Sequence, residues 1–146
     1  MLRVFVLHGP NLNLLGQREP EVYGSDTLDS IGAALDALAA SLGATLSHRQ
    51  SNHEGQLIDW LHEARAGADG VVLNPGGLTH TSVALRDAIT ACERPVVEVH
   101  ISNVYARETF RKTSLVAPVC IGSVSGFGKV SYALGLRGLI DYLNRS

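Results

Sequence analysis

Glu98 and His100 stand two positions apart in the run PVVEVHIS. In a strand, period-2 alternation puts Glu98, His100 and Ser102 on one side and Val97, Val99 and Ile101 on the other. A carboxylate beside an imidazole holds its tautomer and raises its basicity, so the pair suits proton transfer. The other reading, a charge pair on an edge strand, sits poorly with the Pro-Val-Val run before it. Asn74 closes another apolar run, GVVLN, where a plain core strand needs no amide. Pro75-Gly76-Gly77 then makes a tight turn, and the hydroxyls that follow can cap a helix. His80 lies among them and on its own reads as an exposed first-turn residue. A third polar run, His8-Gly-Pro-Asn11, opens a loop of about sixteen residues, against the ~2–6 usual between a strand and a helix. It carries Arg18 and Tyr23 and reads either as a lid over a ligand or as a solvated excursion. Arg107 and Arg111, one helical turn apart, are either solvated or supply charge for an anionic ligand.

These residues need a scaffold that brings three loops together. Short apolar runs rich in β-branched residues lie at Leu2 to Leu7, Ala44 to Arg49, Gly70 to Leu73, Pro95 to Val99 and Pro118 to Ile121. Helical spacing separates them. Leu28, Ile31, Leu35, Leu38 and Leu42 recur within Asp26 to Leu42. Ser51 and Glu54 form a capping-box pattern ahead of Leu57, Ile58, Leu61 and Ala64. A third helix is expected from about Thr79 to Ala91, and a last one through Tyr132, Leu136, Leu139, Ile140 and Leu143. Alternating strands and helices predict an α/β fold: a flavodoxin-like three-layer sandwich on a five-stranded parallel sheet of order 2-1-3-4-5. Ligands of such sheets bind beyond the carboxyl ends of the strands, where the loops after strands 1, 3 and 4 meet.

The chain of 146 residues predicts a single domain over 1–146, with 45% hydrophobic and 18% charged residues, a globular balance. Its net charge of −2, with no Lys/Arg cluster, argues against nucleic acid as a partner. Cys92 and Cys120 show no metal spacing, and no H-x-H or H-x-x-x-H occurs, so no metal site is expected. The N-terminal apolar run is too short for a signal core or a membrane span, and a cytoplasmic location is expected. Gly126-Phe-Gly-Lys-Val-Ser131 lacks the last glycine of a dinucleotide fingerprint and lies too near the C-terminus to open a βαβ unit. No G-x-S-x-G elbow occurs.

Four blocks, GPNLNLLGQREPEVYG, SNHEGQLIDWLH, NPGGLTHTSVALRDA and EVHISNVYARETFR, together resemble type II 3-dehydroquinate dehydratase, in that family's order from Gly9 to Arg111. Beyond Arg111 the chain departs, reading Lys112-Thr113-Ser114-Leu115 where His-His-Ser-Tyr is usual. The resemblance implies reversible dehydration of 3-dehydroquinate to 3-dehydroshikimate through an enolate, with no cofactor and no metal. It implies Tyr23 as a tyrosinate base beside the essential Arg18, Asn11 in the oxyanion role, and His100, oriented by Glu98, as the acid. It places the substrate carboxylate on the Ile101 and Ser102 amides and the Ser102 hydroxyl, and the ring substituents on Asn74, His80 and Arg111. Asp87 would reach a neighbouring subunit's site in a dodecamer of trimers. Two rivals remain at this point. One is a non-catalytic module binding a small polar acid. The other is the imine-forming dehydratase, disfavoured because the only lysines, Lys112 and Lys129, lie outside the expected crevice.

Overall fold

The computed structural model describes residues 1–17, 21 and 25–145. The apolar runs pair into a sheet of β1 (Leu2–His8), β2 (Ala44–Gln50), β3 (Gly70–Asn74), β4 (Val96–His100) and β5 (Gly122–Ser125). Every neighbouring pair is parallel, in the order β2-β1-β3-β4-β5. The helices are α1 (Leu28–Ser41), α2 (Glu54–Gly67), α3 (Val83–Cys92) and α4 (Val130–Asn144). This is the flavodoxin-like sandwich that the alternation of elements predicts. Among the described residues, no helix is long and apolar enough to cross a membrane.

Strand parity sets both layers of core. Val4, Val6, Val72, Val97 and Val99 pack against α1 and α4 through Ile31, Leu35, Leu136 and Leu139. Phe5, Leu7, Val71, Leu73 and Val96 pack against α2 and α3 through Leu57, Leu61, Leu85 and Ile89. Central strands covered on both faces read as unbroken apolar runs, as these do. The same parity fixes the polar residues at the strand ends. His8 and Asn74 continue the face of α1 and α4, whereas Glu98 and His100 continue the face of α2 and α3.

Three local expectations are corrected. The fifth strand lies at Gly122–Ser125, not at Pro118 to Ile121, where a 3-10 turn spans Ala117–Val119. Pro118 cannot donate to a ladder, and Val119 and Cys120 pack under α2 and α3 instead. The capping box forms between Thr27 and Ser30 at the start of α1. Ser51 and Glu54 do not form one: Ser51 Oγ accepts from the His53 amide, and the Glu54 carboxylate accepts from the Ser82 hydroxyl. Residues Gly76–His80 form a 3-10 turn, so α3 starts only after Ser82, which caps it by accepting from the Leu85 amide at 2.9 Å.

Candidate active site

The loops after β1, β3 and β4 converge at the carboxyl end of the sheet around a concavity of about 110 Å³. Two close approaches build its floor. A Cβ on Gly9 would fall 2.6 Å from the Pro75 carbonyl oxygen, so the first and third loops touch backbone to backbone. Gly76 has φ +60°, a left-handed conformation that glycine adopts without strain, and sits against the Pro10 carbonyl. The Gly9 amide donates to the Asn74 carbonyl at 2.8 Å. From the end of β2, Gln50 Nε2 donates to the Gly9 carbonyl at 3.2 Å, and Asn52 Oδ1 accepts from the Asn11 amide at 2.9 Å. Asn11 itself takes φ +70°, which asparagine tolerates better than other non-glycine residues, and lies on the wall of the concavity.

His100 and Glu98 supply the buried charge. Their side chains meet at 2.6 Å, Nε2 to Oε2. A carboxylate only accepts, so Nε2 carries a proton and Nδ1 is the nitrogen left to exchange one with a ligand. Glu98 is 1% exposed and collects further donors. The Thr79 hydroxyl donates to Oε2, and the Ser114 hydroxyl lies 3.0 and 3.1 Å from its two oxygens. Burial pushes the Glu98 carboxyl up, but the His100 hydrogen bond and charge, with the two hydroxyls, outweigh it and leave the pKa below the ordinary value. The carboxylate is therefore anionic at neutral pH and polarises His100.

The other walls come from short turns. His80 Nδ1 donates to the Thr113 carbonyl at 2.7 Å, so Nε2 is its acceptor side. The His80 and His100 rings stack with centroids 6.5 Å apart. Arg111 donates from Nε to Glu108 and lies 5.1 Å from the Phe110 ring. Ile101 and Ser102 follow directly on β4.

The residues picked out by type and spacing separate into three groups. Asn11, Asn74, His80, His100, Ile101, Ser102 and Arg111 all line this one concavity, with Arg107 beside them. Glu98 stands behind His100 and lines an adjoining cavity, which Lys112 also borders, so that lysine is nearer the crevice than expected. Asp87 is exposed on α3 and lines neither cavity. Arg18 and Tyr23 lie outside the described residues. Sequence reasoning missed Thr79 and Ser114 as partners of Glu98. The only signal available was their hydroxyl chemistry beside already chosen positions. It also missed Tyr132 and His8, which lie behind Asn74.

Comparison with known proteins identifies the family. The family model for dehydroquinase class II matches residues 2–140. A 3-dehydroquinate dehydratase of Nostoc sp. is 58% identical over 142 residues, covering 97% of this chain and 97% of its own. A 3-dehydroquinate dehydratase of Gloeothece citriformis is 56% identical over 142 residues, covering 97% of this chain and 93% of its own. The crystal structure of type II dehydroquinase from Butyrivibrio crossotus superposes with a TM-score of 0.91 at 41% identity, covering 98% of this chain and 97% of that one. With a matching family model over nearly its whole length and relatives well above half identity, the chain belongs to the class II dehydroquinase family.

Proposed function

We propose that this protein catalyses the reversible dehydration of 3-dehydroquinate to 3-dehydroshikimate, a hydro-lyase step of the shikimate pathway or of quinate breakdown. The observation that carries the reading is the pocket itself: the chain is a class II dehydroquinase whose three loops gather polar groups around a buried Glu98–His100 pair.

The chemistry divides into two proton transfers. A base takes the proton alpha to the ketone, giving an enolate. The enolate then expels the β-hydroxyl, which leaves as water after taking a proton from an acid. His100 is the acid. Glu98 holds its Nε2–H, which leaves Nδ1 to deliver the proton. Tyr23 is the base, as tyrosinate. Lowering a phenol from pKa ~10 by two units needs ~2.7 kcal/mol of preferential stabilisation of the anion, a demand that the Arg18 guanidinium can meet in a dry site. Asn11 carries the oxyanion role, for which its position on the pocket wall is suitable. The Ile101 and Ser102 amides and the Ser102 hydroxyl take the carboxylate, while Asn74, His80 and Arg111 take the ring substituents. No step calls for a metal or a cofactor.

Asp87, exposed on α3, is the residue that reaches a neighbour's site, in a dodecamer of trimers. The free cysteines Cys92 and Cys120 suit a reducing compartment, and the cytoplasm is the expected one. The test is direct. The product is a conjugated enone, so ultraviolet absorbance should rise when purified protein meets 3-dehydroquinate, and chelator dialysis or borohydride with substrate should leave turnover intact. No absorbance change at substrate saturation would overturn the reading.

A further inference from the structure

Behind Asn74 runs a buried polar chain that the proposed proton transfers do not use. Tyr132, in the first turn of α4, has no exposed surface, and its hydroxyl lies 2.9 Å from Asn74 Nδ2 and 2.9 Å from His8 Nδ1. His8 and Asn74 are register partners on the adjacent strands β1 and β3, and both sit on the face that α4 covers. The core there is otherwise aliphatic, so three buried polar groups at one point require a reason.

The hydrogen bonds have one consistent direction. The Gly76 amide donates to Asn74 Oδ1 at 3.1 Å, which fixes the side-chain NH2 on the Tyr132 side, since the reverse would set two donors together. Tyr132 Oη accepts from that NH2. Its own proton must then go to His8 Nδ1, so His8 is neutral with its hydrogen on Nε2. Burial, and next the nearby His48, push the His8 pKa down to about 3, in keeping with an acceptor that stays unprotonated. From Gly76 through Asn74 and Tyr132 to His8, each group can donate in one sense only.

We propose that Tyr132 and His8 are positioning residues that act through Asn74: they lock its amide so that the second N–H is held toward an acceptor oxygen on the substrate ring. This rests on the reading that the pocket binds 3-dehydroquinate. Asn74 lines that pocket, and a planar amide with one N–H and its oxygen both engaged has no rotational choice left for the other N–H. Without the Tyr132 hydroxyl, the NH2 keeps a buried unpaired donor and the amide is free to turn.

The experiment measures steady-state kinetics with 3-dehydroquinate for wild type, Tyr132→Phe, His8→Leu, His8→Asn, Asn74→Ala and the double variant Tyr132→Phe/Asn74→Ala. Tyr132→Phe and His8→Leu should each raise KM by about tenfold, the scale of one oriented hydrogen bond, with a smaller change in kcat. His8→Asn should recover most of the loss seen in His8→Leu, because its carbonyl oxygen can occupy the place of Nδ1. In the Asn74→Ala background Tyr132→Phe should change KM no further. A full, additive effect in that background would overturn the proposal, as would a His8→Asn variant as impaired as His8→Leu. Wild-type protein without turnover would instead overturn the proposed function. Should Tyr132→Phe fail to fold, nitrogen NMR of the wild-type imidazoles still decides: His8 must show an unprotonated Nδ1, and a protonated one refutes the chain of donors.

Discussion

His100 and Glu98 meet at 2.6 Å, Nε2 to Oε2, with the Glu98 side chain 1% exposed and the His100 side chain 9%. The carboxylate is also held from three other parts of the chain: Thr79 in the 3-10 turn after β3, Ser114 in the long β4–β5 connection, and Ser123 in β5, 3.5 Å away. So the imidazole rests on an anion that cannot move away from it. His100→Ala should therefore lower kcat by ~10²–10⁴-fold, the contribution of a positioned acid, with a smaller change in KM. Unchanged kcat with a raised KM would assign His100 to binding.

Thr79→Val removes one hydroxyl donor from the Glu98 carboxylate while keeping the side chain's shape. Glu98 titrates below the ordinary carboxyl value in the folded protein. Such a group stabilises the fold above its unfolded pKa and loses that contribution as pH falls through the folded one. With a donor gone, the folded pKa rises. Acid unfolding followed by circular dichroism should then begin at higher pH in Thr79→Val than in wild type. Superimposable acid transitions would show that Thr79 does not stabilise the anion.

His8 makes the fold acid-sensitive a second time, in a different window. Its pKa falls from 6.5 to about 3 on folding, so between those values the unfolded chain binds the proton and the native protein does not. Stability from this group is complete above pH 6.5 and is lost as pH drops toward 3. The steepest slope that one group can give is about 1.4 kcal/mol per pH unit. Melting temperatures of wild type and His8→Asn between pH 7 and pH 4 are the check, at roughly half-unit steps. The wild type should lose more over that range, and equal slopes would exclude His8 as the source.

Tyr23→Phe keeps the ring and removes only the ionisable oxygen. If Tyr23 is the base, solvent deuterium exchange at the carbon alpha to the ketone should vanish together with dehydration. His100→Ala should retain exchange while losing elimination. Exchange followed by proton NMR separates the two steps, and wild-type exchange in Tyr23→Phe would point to another base.

Asp87 faces solvent on α3, away from the pocket of its own chain. If it completes a neighbour's site, light scattering should find a multiple of three chains. Asp87→Ala should weaken activity although no residue of the chain's own pocket has changed. A stable monomer of full activity would exclude the shared site.

The residues at the strand ends were legible because a parallel sheet leaves little choice. Glu98 and His100 lie in the last three residues of a strand buried on both faces, and Asn74 closes another, so a polar group there has to meet either a ligand or a partner. Strand five was not legible for the opposite reason. Gly122–Ser125 is a polar edge strand with half its residues exposed, so it has no apolar run, and the nearby Pro-Val-Cys-Ile segment carried the misleading signal. Tyr132 falls on the apolar stripe of α4 and reads as core. Its hydroxyl finds partners 58 and 124 positions away, a pairing that only the folded sheet creates. Thr79 and Ser114 were hidden likewise, 35 positions apart yet sharing one carboxylate. Arg18 and Tyr23 rest on the family resemblance alone, since both lie outside the described residues.

The backbone contact between Gly9 and Pro75 bears on any attempt to re-engineer this protein for a differently substituted ring. Mutant libraries that vary the turn after β1 and the turn after β3 separately would mostly sample broken combinations, because each turn is the other's mould. At Gly9 any added carbon meets the Pro75 carbonyl, and at Gly76 it meets both a carbonyl and an unfavourable φ. Gly77 is different: a Cβ there touches nothing within 4 Å, although the residue borders the pocket. It is the one glycine of that turn open to randomisation, because a side chain added there leaves the joint between the two turns undisturbed.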